Sequence, residues 1–105
     1  MGDSWFVYDE RLGIEVPDLE HEWETYPLEV RSAILDRWET IRGRIPDRIL
    51  ALERRIRELQ RQLDEEEDFE TSCRLNAEIA EQASRINDLN IWYRINQTID
   101  PRRHT

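Results

Sequence analysis

Apolar residues return along most of this chain at helical spacing. Val30, Ile34, Trp38, Ile41 and Ile45 are separated by steps of 4, 4, 3 and 4, which predicts an amphipathic helix from about Leu28 to Arg42. Pro27 suits its first turn, where a missing N–H costs nothing. Gly43 and Pro46 then read as a helix stop followed by a helix start. Ile45, Ile49, Leu52, Ile56, Leu59 and Leu63 step by 4, 3, 4, 3 and 4, and Leu75, Ile79, Gln82, Ile86, Leu89 and Tyr93 repeat that rhythm. Both runs are heptad seams, coiled-coil-like in pattern. The expected helices span 27–42, 46–65 and 70–98, followed by a disordered tail over 99–105.

No glycine or proline separates the two heptad runs; the acidic stretch Asp64–Glu70 does. One continuous helix over this region would be roughly 75–80 Å long. It would place Glu66 and Glu70 in its seam and stack like charges at Asp64–Asp68 and Glu66–Glu70, each mildly destabilising. A reversal about Phe69 instead brings Leu63 opposite Leu75, Leu59 opposite Ile79, Ile56 opposite Gln82 and Leu52 opposite Ile86. It likewise pairs Ile49 with Leu89 and Ile45 with Tyr93. It also puts Asp68 and Glu70 at a helix N-terminus, where negative charge is favoured. The antiparallel hairpin is therefore the expected arrangement, although Asp64 to Glu67 then sit unfavourably at the preceding C-terminus.

Cys73, Ala77, Ala80 and Ser84 form a stripe of small residues on the third helix, continued by Ile91 and Ile95. The first helix, turning at Gly43–Pro46, is expected to run beside that stripe with Trp38 near the level of Ile91. The result is an all-α, three-helix bundle with part of one face free for the N-terminal arm or a second copy. The arm, residues 1–26, holds five of the nine aromatics. Its "WFVY" is strand-like, and "RLGIEV" is a candidate hairpin partner. So aromatic an arm is expected to dock on the bundle or on a partner rather than stay solvated.

Composition narrows the functions. The 105 residues carry a formal charge of −9, and every basic side chain is arginine. Acidity concentrates in residues 1–26, with eight acids against one arginine, and in residues 64–72, with six acids and no base. Such a surface repels phosphate backbones and anionic lipid, so nucleic-acid and membrane binding are not expected. One cysteine excludes an internal disulfide framework and a cysteine-based zinc site. No signal peptide or bilayer-length apolar run is present, and Phe6 breaks the myristoylation pattern, so the expected location is cytoplasmic.

Candidate chemistry is sparse. Glu67 with Glu70, and Glu78 with Glu81, are spaced i, i+3. Paired carboxylates on adjacent helices hold Mg²⁺ in some all-α nucleotide phosphohydrolases, because hard oxygen ligands suit that ion. The spacing is common in a chain this rich in glutamate. His21 lies among the carboxylates of "EHEWE" without a second histidine in range, and Cys73 reads as a packing residue. Arg54, Arg55, Arg57 and Arg61 offer a basic helix face, opposed by the two acidic blocks. No catalytic residue, cofactor or Gly-rich phosphate loop is expected.

The sequence reading is a small non-enzymatic protein–protein interaction or assembly module that self-associates, as a dimer, through helix stripes. Its interaction residues are Ala77, Ala80, Ser84 and Ile91 on the third helix, with Trp5, Phe6 and Trp23 on the arm. The alternatives are the Mg²⁺-dependent hydrolase and the arginine-face nucleic-acid binder.

Overall fold

The computed structural model describes residues 5–95. The strands β1 (Phe6–Asp9) and β2 (Ile14–Pro17) are followed by a single 3-10 turn, Trp23–Thr25, and three helices: α1 (Leu28–Arg42), α2 (Ile45–Glu65) and α3 (Phe69–Arg94). The last residues of the expected third helix, 96–98, and the expected tail over 99–105 lie outside the described residues. The molecule is elongated, 59 × 26 × 19 Å. No helix among the described residues is long and apolar enough to cross a membrane.

The chain does reverse in the acidic stretch. Glu66 and Asp68 adopt extended backbone angles. The acidic side chains also build the turn. Asp68 Oδ2 accepts from Thr71 N–H at 2.9 Å and from its hydroxyl at 2.8 Å, capping α3, while Glu66 Oε2 accepts from Asp68 N–H at 3.0 Å. Such a cap satisfies one of the orphan donors at a helix start. The reversal is centred on Glu67, two residues before Phe69. Folding there sets Ile45 level with Leu89, Leu52 with Gln82 and Leu59 with Leu75, half a heptad from the expected pairing. Burial follows this register: Ile45, Leu52, Leu59, Gln82 and Leu89 are buried, whereas Tyr93 is 39 % exposed under the Arg42 guanidinium.

Two expectations need correction. The protein is mostly helical but not all-α, because β1 and β2 pair antiparallel with Asp9 opposite Ile14 and Phe6 opposite Pro17. Nor does α1 fold back along α3 to make a three-helix bundle. Gly43 and Arg44 both keep right-handed helical angles, and Gly43 N–H still donates to Glu39 O. Pro46 falls in the first turn of α2, where it interrupts no helical hydrogen bond. The Gly–Pro pair thus bends one long helix instead of reversing it.

The third place against the helical hairpin goes to the β-hairpin. Leu12, Ile14 and Val16 are buried with Trp38, Ile41, Ile45, Leu52 and Leu89, and Phe6, Ile86 and Trp92 pack at the edge of this cluster. Phe6 stacks on Trp38 at 6.4 Å between centroids, and Trp38 meets Trp92 edge-on at 5.8 Å. The alternation in "IEV" accounts for the choice: Ile14 and Val16 point inward, while Glu15 turns out to pair with Arg37 at 2.9 Å.

Candidate functional site

The tip of the β-hairpin fixes which helix surfaces are covered. Asp9 Oδ1 accepts from Leu12 N–H at 3.0 Å, and Gly13, at φ 75°, closes the loop by donating to Asp9 O at 2.7 Å. The loop aims Arg11 at α3. Its Nε donates to Glu81 at 2.9 Å, Nη1 to Asp88 at 2.7 Å and Nη2 to Ser84 at 2.6 Å. One guanidinium fork thereby grips three successive turns of α3. On the α2 side Arg48 Nε donates to Leu12 O at 2.9 Å. Farther out, Arg55 bridges to Glu78 at 3.0 Å.

These contacts explain how charge is distributed on α3. Between Thr71 and Tyr93 the helix carries five charged residues, Arg74, Glu78, Glu81, Arg85 and Asp88. Their steps of 4, 3, 4 and 3 place all five in one stripe. That stripe faces the side covered by the β-hairpin, through the Arg11 and Arg55 contacts and an Arg85–Glu81 pair at 3.1 Å. The hydrogen bonds from Arg85 and then Arg11 hold the Glu81 carboxyl below the ordinary carboxylate range. Arg61, with Gln62, lowers Glu58 in the same way on α2.

The rest of α3 is uncharged over about five turns. Its outer stripe runs through Cys73, Ala77, Ala80, Ser84, Asn87 and Ile91, all exposed. A neighbouring stripe, Ser72, Asn76, Ile79, Ala83, Asn87 and Asn90, borders α2 on the side away from the β-hairpin. There Pro46, Ile49, Leu50, Asn90 and Tyr93 line an open, mainly apolar groove of about 410 Å³. Leu50 is 47 % exposed and Ile91 45 %. A continuous neutral face is unusual where 37 % of residues are charged.

Of the residues singled out in the sequence, Ala77, Ala80 and Ile91 are exposed, while Ser84 is partly engaged by Arg11. Cys73, expected to be packed, is exposed. Trp5, Phe6 and Trp23 are partly buried against their own chain. Phe6 lies in the core edge with Arg37 over its ring at 5.1 Å, and the indole Nε1 of Trp23 is enclosed. Asn76, Ala83, Asn87 and Asn90 were not singled out. Their signal was present in the sequence as the single charged stripe of α3, visible once charges rather than apolar residues are placed on the helix.

The alternative sites do not assemble. Glu67 and Glu70 are exposed at the turn, whereas Glu78 and Glu81 are engaged by arginines farther along α3. No group of three or more His, Cys, Asp or Glu side chains among the described residues is arranged to hold a metal ion. His21 packs edge-on against Tyr26 at 5.8 Å. Of the four arginines proposed to meet phosphate, Arg55 is tied to Glu78 and Arg61 to Glu58, leaving Arg54 and Arg57 exposed. Comparison with family models, with curated proteins and with solved structures finds no match to this chain.

Proposed function

We propose that this protein is a small cytoplasmic interaction module that acts by docking helix faces and associates with a second copy of itself. One observation carries the reading: an uncharged α3 surface, five turns long, lies beside an apolar groove in a chain otherwise dense with charge. Docking surfaces are depleted of charge at their centre and rimmed by polar residues. Ala83 permits close approach and Leu50 adds apolar area beside the groove, Ala77, Ala80 and Ile91 carry the uncharged surface outward from it, and the asparagines supply hydrogen bonds at a lower desolvation cost than charged groups. The aromatic arm contributes indirectly. By gripping the charged stripe, Arg11 and its hairpin hold the neutral faces outward and rigid.

The test is the oligomeric state of the full chain across a wide range of concentration, by sedimentation velocity with light scattering. A mass that rises from monomer towards dimer with concentration is the expected result. A monomer at every concentration removes self-association from the reading.

A further inference from the structure

We infer that a second copy of this chain packs on the α2–α3 face opposite the β-hairpin, antiparallel, to form a four-helix bundle with a two-fold axis level with residue 55. This rests on the self-association proposed above and assigns its face, orientation and charge pairs.

The face follows from helix phase. At 100° per residue, the side of α2 turned away from Arg48 presents Pro46, Leu50, Glu53, Arg57, Gln60 and Asp64. The matching side of α3 presents Ser72, Asn76, Ile79, Ala83, Asn87 and Asn90. The groove of Pro46, Ile49, Leu50, Asn90 and Tyr93 lies between them. Glu53 and Arg57 stand one turn apart, yet neither forms an ion pair within the described residues.

Charge complementarity selects the antiparallel order. A two-fold axis level with residue 55 sets Glu53 of each copy beside Arg57 of the other, making two symmetric pairs from four unpaired groups. The same operation carries Asp64 of one copy to the level of Pro46 of the other, one turn from Arg42, and Asp68 to the level of Asn90, about one turn from Arg94. The acidic turn thereby meets the basic end of the hairpin twice. A parallel arrangement would instead bring the two acidic turns together. On α3 the axis passes Ile79, with Ala83 and Asn76 on either side, small enough for close helix approach.

The area is sufficient. The paired helices run about 30 Å and, at 8–10 Å between axes, present a face roughly 20 Å wide. Each copy therefore buries about 600 Å², or about 1,200 Å² in total, the lower edge of the range for specific interfaces. Association should accordingly be concentration-dependent rather than permanent.

The experiment compares sedimentation of the full-length wild type with E53R, R57E, an equimolar mixture of those two, A83R and A80R, each checked by circular dichroism for unchanged helix content. E53R presents only positive charge at positions 53 and 57, and R57E only negative. Each alone should weaken dimerisation by about tenfold or more, and the mixture should restore it as a heterodimer. A83R should be monomeric, while A80R, on the outer stripe, should dimerise like the wild type. Oxidation should not cross-link the dimer through Cys73, because the two copies of that residue lie about 18 Å apart along the bundle. A wild-type dimer lost in A80R but unaffected in A83R, E53R and R57E would overturn this face and leave self-association standing. So would a mixture that stays monomeric or a quantitative Cys73 disulfide. A wild type that never dimerises would overturn both.

Discussion

Replacing Gly13 by alanine tests how the β-hairpin is locked onto the helices. Gly13 sits at φ 75°, and a Cβ built there would lie 2.8 Å from Arg48 Nε, 3.0 Å from Cζ and 3.1 Å from Nη2. An L-residue in this left-handed region costs about 1–2 kcal/mol. The guanidinium, at the end of a flexible side chain, must also move, breaking its bond to Leu12 O. Leu12 is buried, so stripping its carbonyl of a charged donor costs about 1–3 kcal/mol. The lower entropy of an unfolded alanine chain returns about 0.4–1 kcal/mol. The net expectation is a loss of about 2–4 kcal/mol, read as a lower urea midpoint and, at roughly 4–8 °C per kcal/mol for a domain of this size, a Tm lower by at least 8 °C. Two controls apportion the loss. In an Arg48→Ala background, Gly13→Ala should cost only the backbone strain. Gly13→Asn, which tolerates the left-handed region better, should retain mainly the Arg48 part. A loss below about 1 kcal/mol, or one unchanged when Arg48 is absent, would refute the proposed lock.

Other outcomes follow from the same geometry. Arg11→Ala should speed amide exchange across β1 and β2 while the α2–α3 amides stay protected; uniform loss of protection would mean the hairpin and helices unfold as one unit. Gln82→Leu, which removes a polar side chain from a buried seam position, should stabilise the helical pair by about 1 kcal/mol in urea unfolding, and destabilisation would contradict the observed register. Asp68 is held below its ordinary range first by the Thr71 N–H, as Glu58 is by Arg61 and Glu81 by Arg85 and Arg11. Because each folded carboxyl titrates below its unfolded counterpart, their stabilisation is complete above the ordinary carboxylate range and disappears as pH falls through the lowered values. The thermal midpoint should therefore drop in acid. Asp68→Ala and Glu81→Gln should each flatten that drop, and an unchanged profile in both would sink the assignment.

The heptad steps from Ile45 to Leu63 and from Leu75 to Tyr93 were sufficient, without any tertiary information, to establish two amphipathic helices. The acidic, poorly striped segment between them marked the reversal, since local periodicity and like-charge repulsion act within a few residues. The alternation in "IEV" and the aromatic run before it were also enough to raise a strand pair. Other features depended on groups distant in sequence. Whether Gly43–Pro46 bends or reverses a helix turns on which surface is available to Trp38 and Ile41. Here Leu12, Ile14 and Val16 of the hairpin took that surface. The half-heptad register comes from a reversal centred on Glu67 rather than Phe69, with Asp68 capping α3 so that the helix begins at Phe69. The candidate docking face lies between these cases. The single charged stripe of α3 is written in the sequence, but only the Arg11 fork, reaching Glu81, Ser84 and Asp88 across 70 to 77 residues, decides which side of that helix is covered and which is left open.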